Sequence, residues 1–231
     1  MNILVTGCSG FIGRHLVPYL SKDKEHFVRI MPGRTDSIPF AGIEHAETVP
    51  CRCISTKTNW KDVLQGVDAV VHLAARAHVR QESAADSLTE FRKVNAAGSV
   101  NLAQEAARAG ANRFIFISSI GVYGNQGSGP ITVHDPPAPV EPYAVSKLEA
   151  EMGLRKISAE TGLEVVIIRP PLVYGPGAPG NFARLLRLVQ KGVPLPLGLV
   201  QNKRSLVAVD NLVDLILTCV EHPAAAGETF L

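Results

Sequence analysis

Two short stretches of this chain contain residues that could exchange a proton and hold a nucleotide. Tyr143 and Lys147 lie four residues apart in YAVSK, and a glycine-rich run, TGCSGFIG, follows the first apolar stretch. Residues four apart share one face of a helix, where a lysine ammonium can stabilise a tyrosine phenolate. Such a phenol can exchange a proton with a substrate hydroxyl or carbonyl. Because Y-x-x-x-K alone arises by chance in many helical proteins, the pair takes its significance from the glycines.

The glycine run lies between a strand pattern and a helix pattern. Apolar residues at 3–5 predict a buried strand, and the apolar spacing over 11–20 predicts a helix. In this context Gly7 allows a tight turn, Gly10 lets the backbone approach a pyrophosphate, and Gly13 lets the helix lie close to the strand. The spacing is G-x-x-G-x-x-G, not the commoner G-x-G-x-x-G. The run predicts a dinucleotide site, with an ordinary strand-to-helix turn as the alternative.

A serine is expected to join the tyrosine and lysine. Ser119 ends the strand pattern RFIFISS, and Tyr143 begins a helix pattern directly after Pro142. In a doubly wound sheet, ligands bind at the carboxyl ends of the strands. We predict that Ser119 holds a substrate oxygen, that Tyr143 exchanges its proton, and that Lys147 and the positive nicotinamide of a cofactor together lower the pKa of the tyrosine. A nicotinamide would exchange the hydride.

Strand and helix patterns alternate along the chain. Strands are predicted at 3–6, 27–31, 69–73, 113–118 and 164–169, and helices at 11–20, 60–64, 89–109, 143–161, 182–191 and 211–221. The alternation predicts an α/β fold with a Rossmann-type doubly wound parallel sheet. We predict a dinucleotide-binding domain over 1–179 and a partial substrate-binding lobe over 180–231, some of it returning to the sheet. The final residues read as the start of a strand, so the lobe is expected to be truncated at its C-terminal end.

Composition argues against several classes of partner. The chain has 231 residues, 46% of them hydrophobic, and a net charge of +2 with scattered basic residues, so no nucleic-acid binding is expected. The apolar run at 67–75 is too short to span a bilayer, and no basic-then-apolar leader begins the chain. We therefore expect a cytoplasmic protein without membrane insertion. Cys51 and Cys53 lack a second pair with ligand spacing, so no metal site is predicted.

The motifs resemble, from end to end, an extended short-chain dehydrogenase/reductase of the NAD-dependent epimerase/dehydratase family acting on nucleotide sugars. The matching stretches are TGCSGFIG (6–13), VDAVVHLAA (67–75), VNAAGSVNL (94–102), FISSIGVYG (116–124), YAVSK (143–147), RPPLVYGPG (169–177) and RSLVAVDNL (204–212). The resemblance implies Ser119, Tyr143 and Lys147 as the catalytic set, with Lys147 also holding the nicotinamide ribose. It further implies a homodimer formed through the predicted helices at 89–109 and 143–161.

The resemblance also implies the residues that contact each ligand. Besides Tyr143 and Lys147, the cofactor is expected to contact Gly7, Gly10, Phe11, Ile12, Gly13, Leu73, Ala74, Ala75, Asn95, Pro170 and Leu172. The nucleotide sugar is expected to contact His78, Ser119, Asn181 and Arg204, whose planar fork suits a phosphate. Three alternatives stay open: His78 as a solvated loop residue, Arg204 as a solvated basic residue, and Asn95 as a brace for its helix.

The end of the second predicted strand departs from the family pattern. NAD-preferring relatives usually have Asp or Glu there to bind the ribose 2′-hydroxyl, whereas this chain has Pro32, Gly33 and Arg34. Arg34, together with Arg29, could pair with a 2′-phosphate, which favours NADP(H) and leaves NAD(H) possible. A reductase consumes reducing equivalents and a 4-epimerase does not, so NADP(H) favours a reductase.

Two further departures bear on the reaction. Leu172 stands where 4-epimerases of the family commonly have asparagine, and Ile120 and Gly121 stand where dehydratases commonly have acidic residues. The chain resembles in particular bacterial reductases that convert a UDP-4-keto-6-deoxy-N-acetylhexosamine to its 4-hydroxy sugar for surface-polysaccharide synthesis and are often labelled UDP-glucose 4-epimerases. A UDP-hexose 4-epimerase and a non-catalytic NADP(H)-binding sensor are the alternatives.

Overall fold

The protein is described by a computed structural model that covers residues 1–33, 40, 43–50, 53–77, 84–124, 129–195, 199–200 and 203–231, without the side chains of residues 84–86, 181 and 183. Its strands form a seven-stranded parallel sheet in the order β3-β2-β1-β4-β5-β6-β9 and a separate parallel pair, β7-β8. The strands are β1 (Asn2–Thr6), β2 (Phe27–Met31), β3 (Ala46–Thr48), β4 (Ala69–His72), β5 (Arg113–Ile117), β6 (Glu164–Ile168), β7 (Leu172–Tyr174), β8 (Leu206–Ala208) and β9 (Thr229–Phe230).

Helices cover both faces of the large sheet. They are α1 (Phe11–Leu20), α2 (Lys61–Leu64), α3 (Ala84–Phe91), α4 (Ser99–Arg108), α5 (Pro142–Thr161), α6 (Asn181–Gln190) and α7 (Val209–Glu221). A π-helical segment (Arg92–Gly98) joins α3 to α4, and single 3-10 turns cover Ile120–Tyr123 and Pro223–Ala225. None of the helices in the described ranges is long and apolar enough to cross a bilayer.

Each central strand contributes side chains to two cores because successive residues point to opposite faces of a sheet. On β1, Ile3 and Val5 pack with α1 and α7, whereas Leu4 packs with α4 and α5 on the other face. This is why β5 reads RFIFI with every residue buried. The predicted Rossmann-type doubly wound parallel sheet is therefore confirmed.

The strands that the sequence did not predict are all short. β3 has three residues that are mostly exposed, and β7 and β8 have three each, which is too few for an apolar pattern to develop. β9 lies within the final residues, where the sequence predicts the start of a strand. The helix predicted over 89–109 is divided among the end of α3, the π-helical segment and α4. α7 packs on α1, and β9 pairs with β6. The last described residues therefore return to the large sheet. The boundary between a dinucleotide-binding domain over 1–179 and a lobe over 180–231 stays a prediction.

Candidate active site

The glycine run forms a tight turn against the loop that follows β4. Gly7 has a φ of +71°, and a β-carbon on it would lie 2.6 Å from the amide nitrogen of Ala74. A β-carbon on Gly13 would lie 2.4 Å from the Cα of Cys8, so α1 lies directly on the turn. With Gly10 as its N-cap, α1 presents its first amides without a capping side chain. This arrangement fits a dinucleotide pyrophosphate, whose negative charge is favoured at a helix N-terminus.

The residues after β4 that are predicted to contact the cofactor lie beside the same turn. Leu73 donates its backbone N–H to the carbonyl of Thr6 at 3.2 Å, and Leu73, Ala74 and Ala75 are half-buried. Phe11 and Ile12, at the start of α1, are also half-buried. These residues and the glycines therefore share one edge of the sheet. Their contacts with a cofactor stay predictions.

The structure also brings Ser119 to the start of α5. The Oγ of Ser119 accepts a hydrogen bond from the Gly121 amide at 3.1 Å. A β-carbon on Gly121 would lie 3.2 Å from that Oγ and 3.4 Å from the Cβ of Ala144, so Gly121 lies closely between the serine and α5. The amide of Ile120 donates to the carbonyl of buried Pro170 at 3.0 Å, which places the β6 end beside the serine.

Tyr143 and Lys147 project from the first two turns of α5. The Tyr143 ring is half-buried and packs edge-on against Phe91, with 5.9 Å between ring centroids. Lys147 is 2% exposed, and its Nζ donates to the carbonyl of Ile117 at 2.7 Å. The same nitrogen lies 4.3 Å from the ring centroid of Phe116 and 5.9 Å from that of Tyr143. The ammonium is thus anchored beneath the tyrosine.

Burial sets the protonation of both groups. It lowers the pKa of Lys147 to about 7, although the nearby Glu151 carboxylate opposes this shift. It raises the pKa of Tyr143 to about 12. Burial thus shifts the tyrosine pKa upward, because it disfavours the charged phenolate, and the lowering expected from Lys147 together with a bound nicotinamide stays a prediction. At neutral pH Tyr143 is a protonated phenol and hence a proton donor.

The sequence did not predict the buried polar network that lies beneath Ser119, Tyr143 and Lys147. The Glu151 carboxylate accepts hydrogen bonds from Ser118 and from the Nε and Nη2 of Arg169, and Arg169 also donates to the Tyr123 hydroxyl. The sequence held one signal for it, since Glu151 follows Lys147 by four residues and Tyr143 by eight. That spacing places a carboxylate on the face of α5 that carries the catalytic pair.

Asn95 has its amide committed to protein partners. Its Oδ1 accepts from the Arg76 amide at 2.8 Å, and its Nδ2 donates to the Arg76 carbonyl and to the Ser146 Oγ at 3.0 and 3.1 Å. These bonds tie the loop after β4 to α5, which favours the alternative that Asn95 is a brace. Its contact with the cofactor stays a prediction.

Arg29 is also committed, and its suggested role is wrong. Its Nε donates to Glu47 at 2.7 Å, and its Nη1 donates to the carbonyls of Val63 and Gln65. Because the guanidinium is held beside β3 and α2, it is not available to a 2′-phosphate. The predicted residues Arg34 and His78 lie outside the described residues, as does the side chain of Asn181.

The remaining predicted contacts lie on the smaller sheet. Leu172 begins β7 and is 38% exposed, and Arg204 is exposed just before β8. β7 pairs with β8 in parallel, so the two segments lie side by side. The pairing is compatible with a nucleotide-sugar lobe, and the contacts of Arg204 and Leu172 stay predictions.

Three possible metal ligands lie together elsewhere. Asp23, His26 and Glu221 bring one ligand atom each within 4.8 Å of one another, and the His26 Nε2 lies 2.8 Å from the Glu221 Oε1. That distance is an ordinary hydrogen bond, and two of the three residues are exposed. The prediction that the chain has no metal site stays a prediction.

Comparisons with known proteins agree on one family. The sequence profile described as "NAD dependent epimerase/dehydratase family" matches residues 3–231. The chain is 45% identical over 238 residues to a UDP-glucose 4-epimerase of Vibrio cholerae, covering 100% of this chain and 70% of that protein. It is 29% identical to a GDP-6-deoxy-D-mannose reductase of Pseudomonas aeruginosa, covering 98% of this chain and 72% of that protein.

A solved structure shares the fold. The UDP-glucuronic acid 4-epimerase of Bacillus cereus in complex with UDP-glucuronic acid and NAD superposes with a TM-score of 0.84 at 26% identity, covering 100% of this chain and 76% of that one. The profile match spans nearly the whole chain. It includes the glycine turn and the part of the site that contains Ser119, Tyr143 and Lys147. The chain therefore belongs to the NAD-dependent epimerase/dehydratase family of nucleotide-sugar enzymes, which are of the extended short-chain dehydrogenase/reductase type.

Proposed function

We propose that this chain reduces the C4 carbonyl of a nucleotide-linked hexose, with a UDP-4-keto-6-deoxy-N-acetylhexosamine for surface-polysaccharide synthesis as the favoured substrate. The observation that carries the proposal is the convergence of the half-buried Tyr143 phenol with Ser119 and with Lys147, whose Nζ is anchored on the Ile117 carbonyl. Reduction of a ketone needs a proton donor for the new alkoxide, and a phenol that stays protonated at neutral pH fills that role.

The side chains have distinct roles in this reaction. A bound dihydronicotinamide supplies the hydride that adds to C4. The Ser119 hydroxyl donates a hydrogen bond to the carbonyl oxygen, which gains the electron pair of the broken π bond. Tyr143 gives its proton to that oxygen, and the phenolate it becomes is stabilised by the charged form of Lys147. The glycine turn fits the pyrophosphate and thereby fixes the cofactor's position relative to Tyr143.

The preferred cofactor is proposed to be NADP(H), with NAD(H) as the alternative. Among the described residues that end β2 and follow it, Met31, Pro32 and Gly33, none carries a carboxylate for a ribose 2′-hydroxyl. The Gly33 amide instead donates to the Ser9 Oγ at 2.8 Å. Against NADP(H) stands the Bacillus cereus epimerase, which was solved with NAD.

Cofactor titration tests this preference. We expect NADPH to bind about ten- to a hundredfold more tightly than NADH, because one charge-assisted hydrogen bond to a phosphate contributes about 1.5–3 kcal/mol. Nicotinamide fluorescence measures both dissociation constants. Arg34→Ala should weaken NADPH binding and leave NADH binding unchanged, whereas tighter binding of NADH to the unaltered chain would reverse the assignment.

A 4-epimerase is the second candidate, favoured by the 45% identity to the Vibrio cholerae UDP-glucose 4-epimerase. The two reactions differ in stoichiometry, because an epimerase returns the hydride to the sugar. The chain is incubated with NADPH or NADH and a panel of UDP- and dTDP-4-keto sugars while absorbance of the reduced nicotinamide is followed. Loss of one NADPH per sugar supports the reductase. Interconversion of UDP-glucose and UDP-galactose without net cofactor loss would overturn it.

We further propose that the protein is a homodimer assembled through α4 and α5. These helices pack side by side, with a β-carbon on Gly153 of α5 only 2.4 Å from a methyl of Val100 on α4. The outer face of the pair carries Met152, which is 65% exposed. We expect light scattering to give twice the mass of the chain for the unaltered protein and the mass of a monomer for Met152→Glu. A monomer for the unaltered protein would exclude the dimer.

A further inference from the structure

Four buried polar side chains lie beneath the catalytic set and have no part in the proposed proton transfer. Glu151 is 1% exposed, and Ser118, Tyr123 and Arg169 are each at most 5% exposed. The Ser118 Oγ donates to the Glu151 Oε1 at 2.5 Å, and the Arg169 Nε donates to the same oxygen at 3.0 Å. The Arg169 Nη2 completes a fork on the other carboxylate oxygen. A carboxylate so buried requires its partners, because an unpaired buried charge is costly.

The network joins the three segments that form the active-site edge. Glu151 lies one turn beyond Lys147 on α5, Ser118 precedes Ser119 at the end of β5, and Arg169 precedes Pro170 at the end of β6. Arg169 also stacks its guanidinium 4.9 Å from the Tyr123 ring centroid, in the turn that follows Ser119. A single carboxylate therefore links the segments that carry the serine, the lysine and the predicted nicotinamide pocket.

The Glu151 carboxylate also attracts the Lys147 ammonium electrostatically. The described titratable or charged groups around Lys147 are Tyr143 and Glu151 on α5, His72 on β4, and Arg169 after β6, which acts through Glu151. His72 is neutral because burial lowers its pKa to about 3, and its ring nitrogens contact the hydroxyls of Thr6 and Ser99 at 2.6 and 2.9 Å. The Glu151 carboxylate thus opposes the effect of burial on the lysine.

We infer that Glu151 is a positioning residue for catalysis: clamped by Ser118 and Arg169, it holds the part of α5 that carries Lys147 against the ends of β5 and β6 and favours the charged form of the lysine. The inference rests on the proposed function for its role in turnover, but the charge of Lys147 is measurable without any substrate. Removing the Glu151 charge leaves the Arg169 cation unbalanced beneath the lysine. Lys147 should then lose its proton at lower pH.

The test is Glu151→Gln, with two measurements. In protein carrying ¹³C-labelled lysine, the Lys147 resonance is identified by its absence in Lys147→Met, and its pKa is read from an NMR titration. We expect Glu151→Gln to lower that pKa by about one unit or more. The alkaline limb of the kcat profile should shift to lower pH by the same amount, so that kcat at pH 8 falls about tenfold.

Glu164→Gln is the matched control. Arg113 and Glu164 form an ion pair at the start of β5 and β6, the opposite ends of the strands that carry Ser118 and Arg169, with 2.6 Å between nitrogen and oxygen. Glu164→Gln removes a carboxylate that is paired with an arginine, as Glu151→Gln does, but at the end of the strands opposite to Lys147. We expect it to leave the Lys147 pKa and the kcat profile unchanged.

The outcomes separate the inference from the proposed function. An unchanged Lys147 pKa in folded Glu151→Gln, or an equal shift in Glu164→Gln, would overturn the inference. Absence of turnover with every sugar would overturn the proposed function and leave the NMR result standing. If Glu151→Gln does not fold, Ser118→Ala removes one bond from the carboxylate and keeps both charges. It should then lower kcat severalfold at constant Lys147 pKa, and an unchanged kcat would overturn the positioning role.

Discussion

Tyr143→Phe is expected to lower kcat about a thousandfold while cofactor affinity stays within about twofold of its original value, because a positioned acid contributes about 10²–10⁴ to rate. The substitution removes only the hydroxyl. The ring keeps its edge-on contact with Phe91 and its place above Lys147. The fold and the glycine turn should therefore be unaffected, and the loss should appear in turnover alone.

Steady-state reduction of a 4-keto sugar and nicotinamide fluorescence measure the two quantities. Tyr19→Phe is the matched control, since Tyr19 lies on α1 and is 45% exposed, with the Lys22 Nζ 5.1 Å from its ring centroid. It should leave both values unchanged. If Tyr143→Phe retains full turnover, Tyr143 is not the proton donor. If the unaltered chain and Tyr143→Phe both bind NADPH and neither turns over substrate, the protein is a non-catalytic NADP(H)-binding sensor instead.

Gly7→Ala is expected to have the second large effect, on both stability and cofactor binding. The substitution places a β-carbon 2.6 Å from the Ala74 amide nitrogen and 2.7 Å from its Cα, at a φ of +71°. Positive φ alone costs an alanine about 1–2 kcal/mol, and the backbone clash adds to it. We expect a loss of about 3 kcal/mol or more in the free energy of unfolding, and at least about tenfold weaker cofactor binding.

Gly110→Ala separates the two causes. Gly110 has a φ of +89°, but nothing lies within 4 Å of the position that its β-carbon would take. It should therefore cost only the conformational part, about 1–2 kcal/mol, and leave cofactor binding intact. Urea denaturation measures both variants. Equal losses for Gly7→Ala and Gly110→Ala would show that close approach to the loop after β4 is unimportant.

The sequence was most informative where a local pattern coincided with burial on both sides. The central strands β1, β4, β5 and β6 are continuous apolar runs, because a parallel sheet covered by helices leaves no polar face. The glycine turn was predictable for a related reason, since a strand, three glycines and an amphipathic helix leave few other conformations. Each strand, and the glycine turn with its flanking strand and helix, is encoded in consecutive residues.

The polar network could not be predicted in the same way. Ser118, Glu151 and Arg169 come from three elements, and only the fold brings them together. The upward pKa shift of Tyr143 could not be predicted for a physical reason: the spacing to Lys147 was visible in the sequence, but the desolvation of the phenol was not. Arg29 was misjudged, because its partners Glu47 and Val63 lie on elements that the sequence did not connect to it.

The central claim is that hydride passes between a nicotinamide and C4 of a nucleotide-linked hexose, with Tyr143 supplying the proton. Deuterium tracing tests it most directly. NADPH carrying deuterium at the transferable position of the nicotinamide is incubated with a UDP-4-keto-6-deoxy-N-acetylhexosamine, and the product is examined by proton NMR. We predict that deuterium appears at C4 of the sugar, stoichiometrically with the oxidised cofactor, and that Tyr143→Phe slows the transfer about a thousandfold. Product that carries hydrogen at C4, or deuterium at another carbon, would contradict the account.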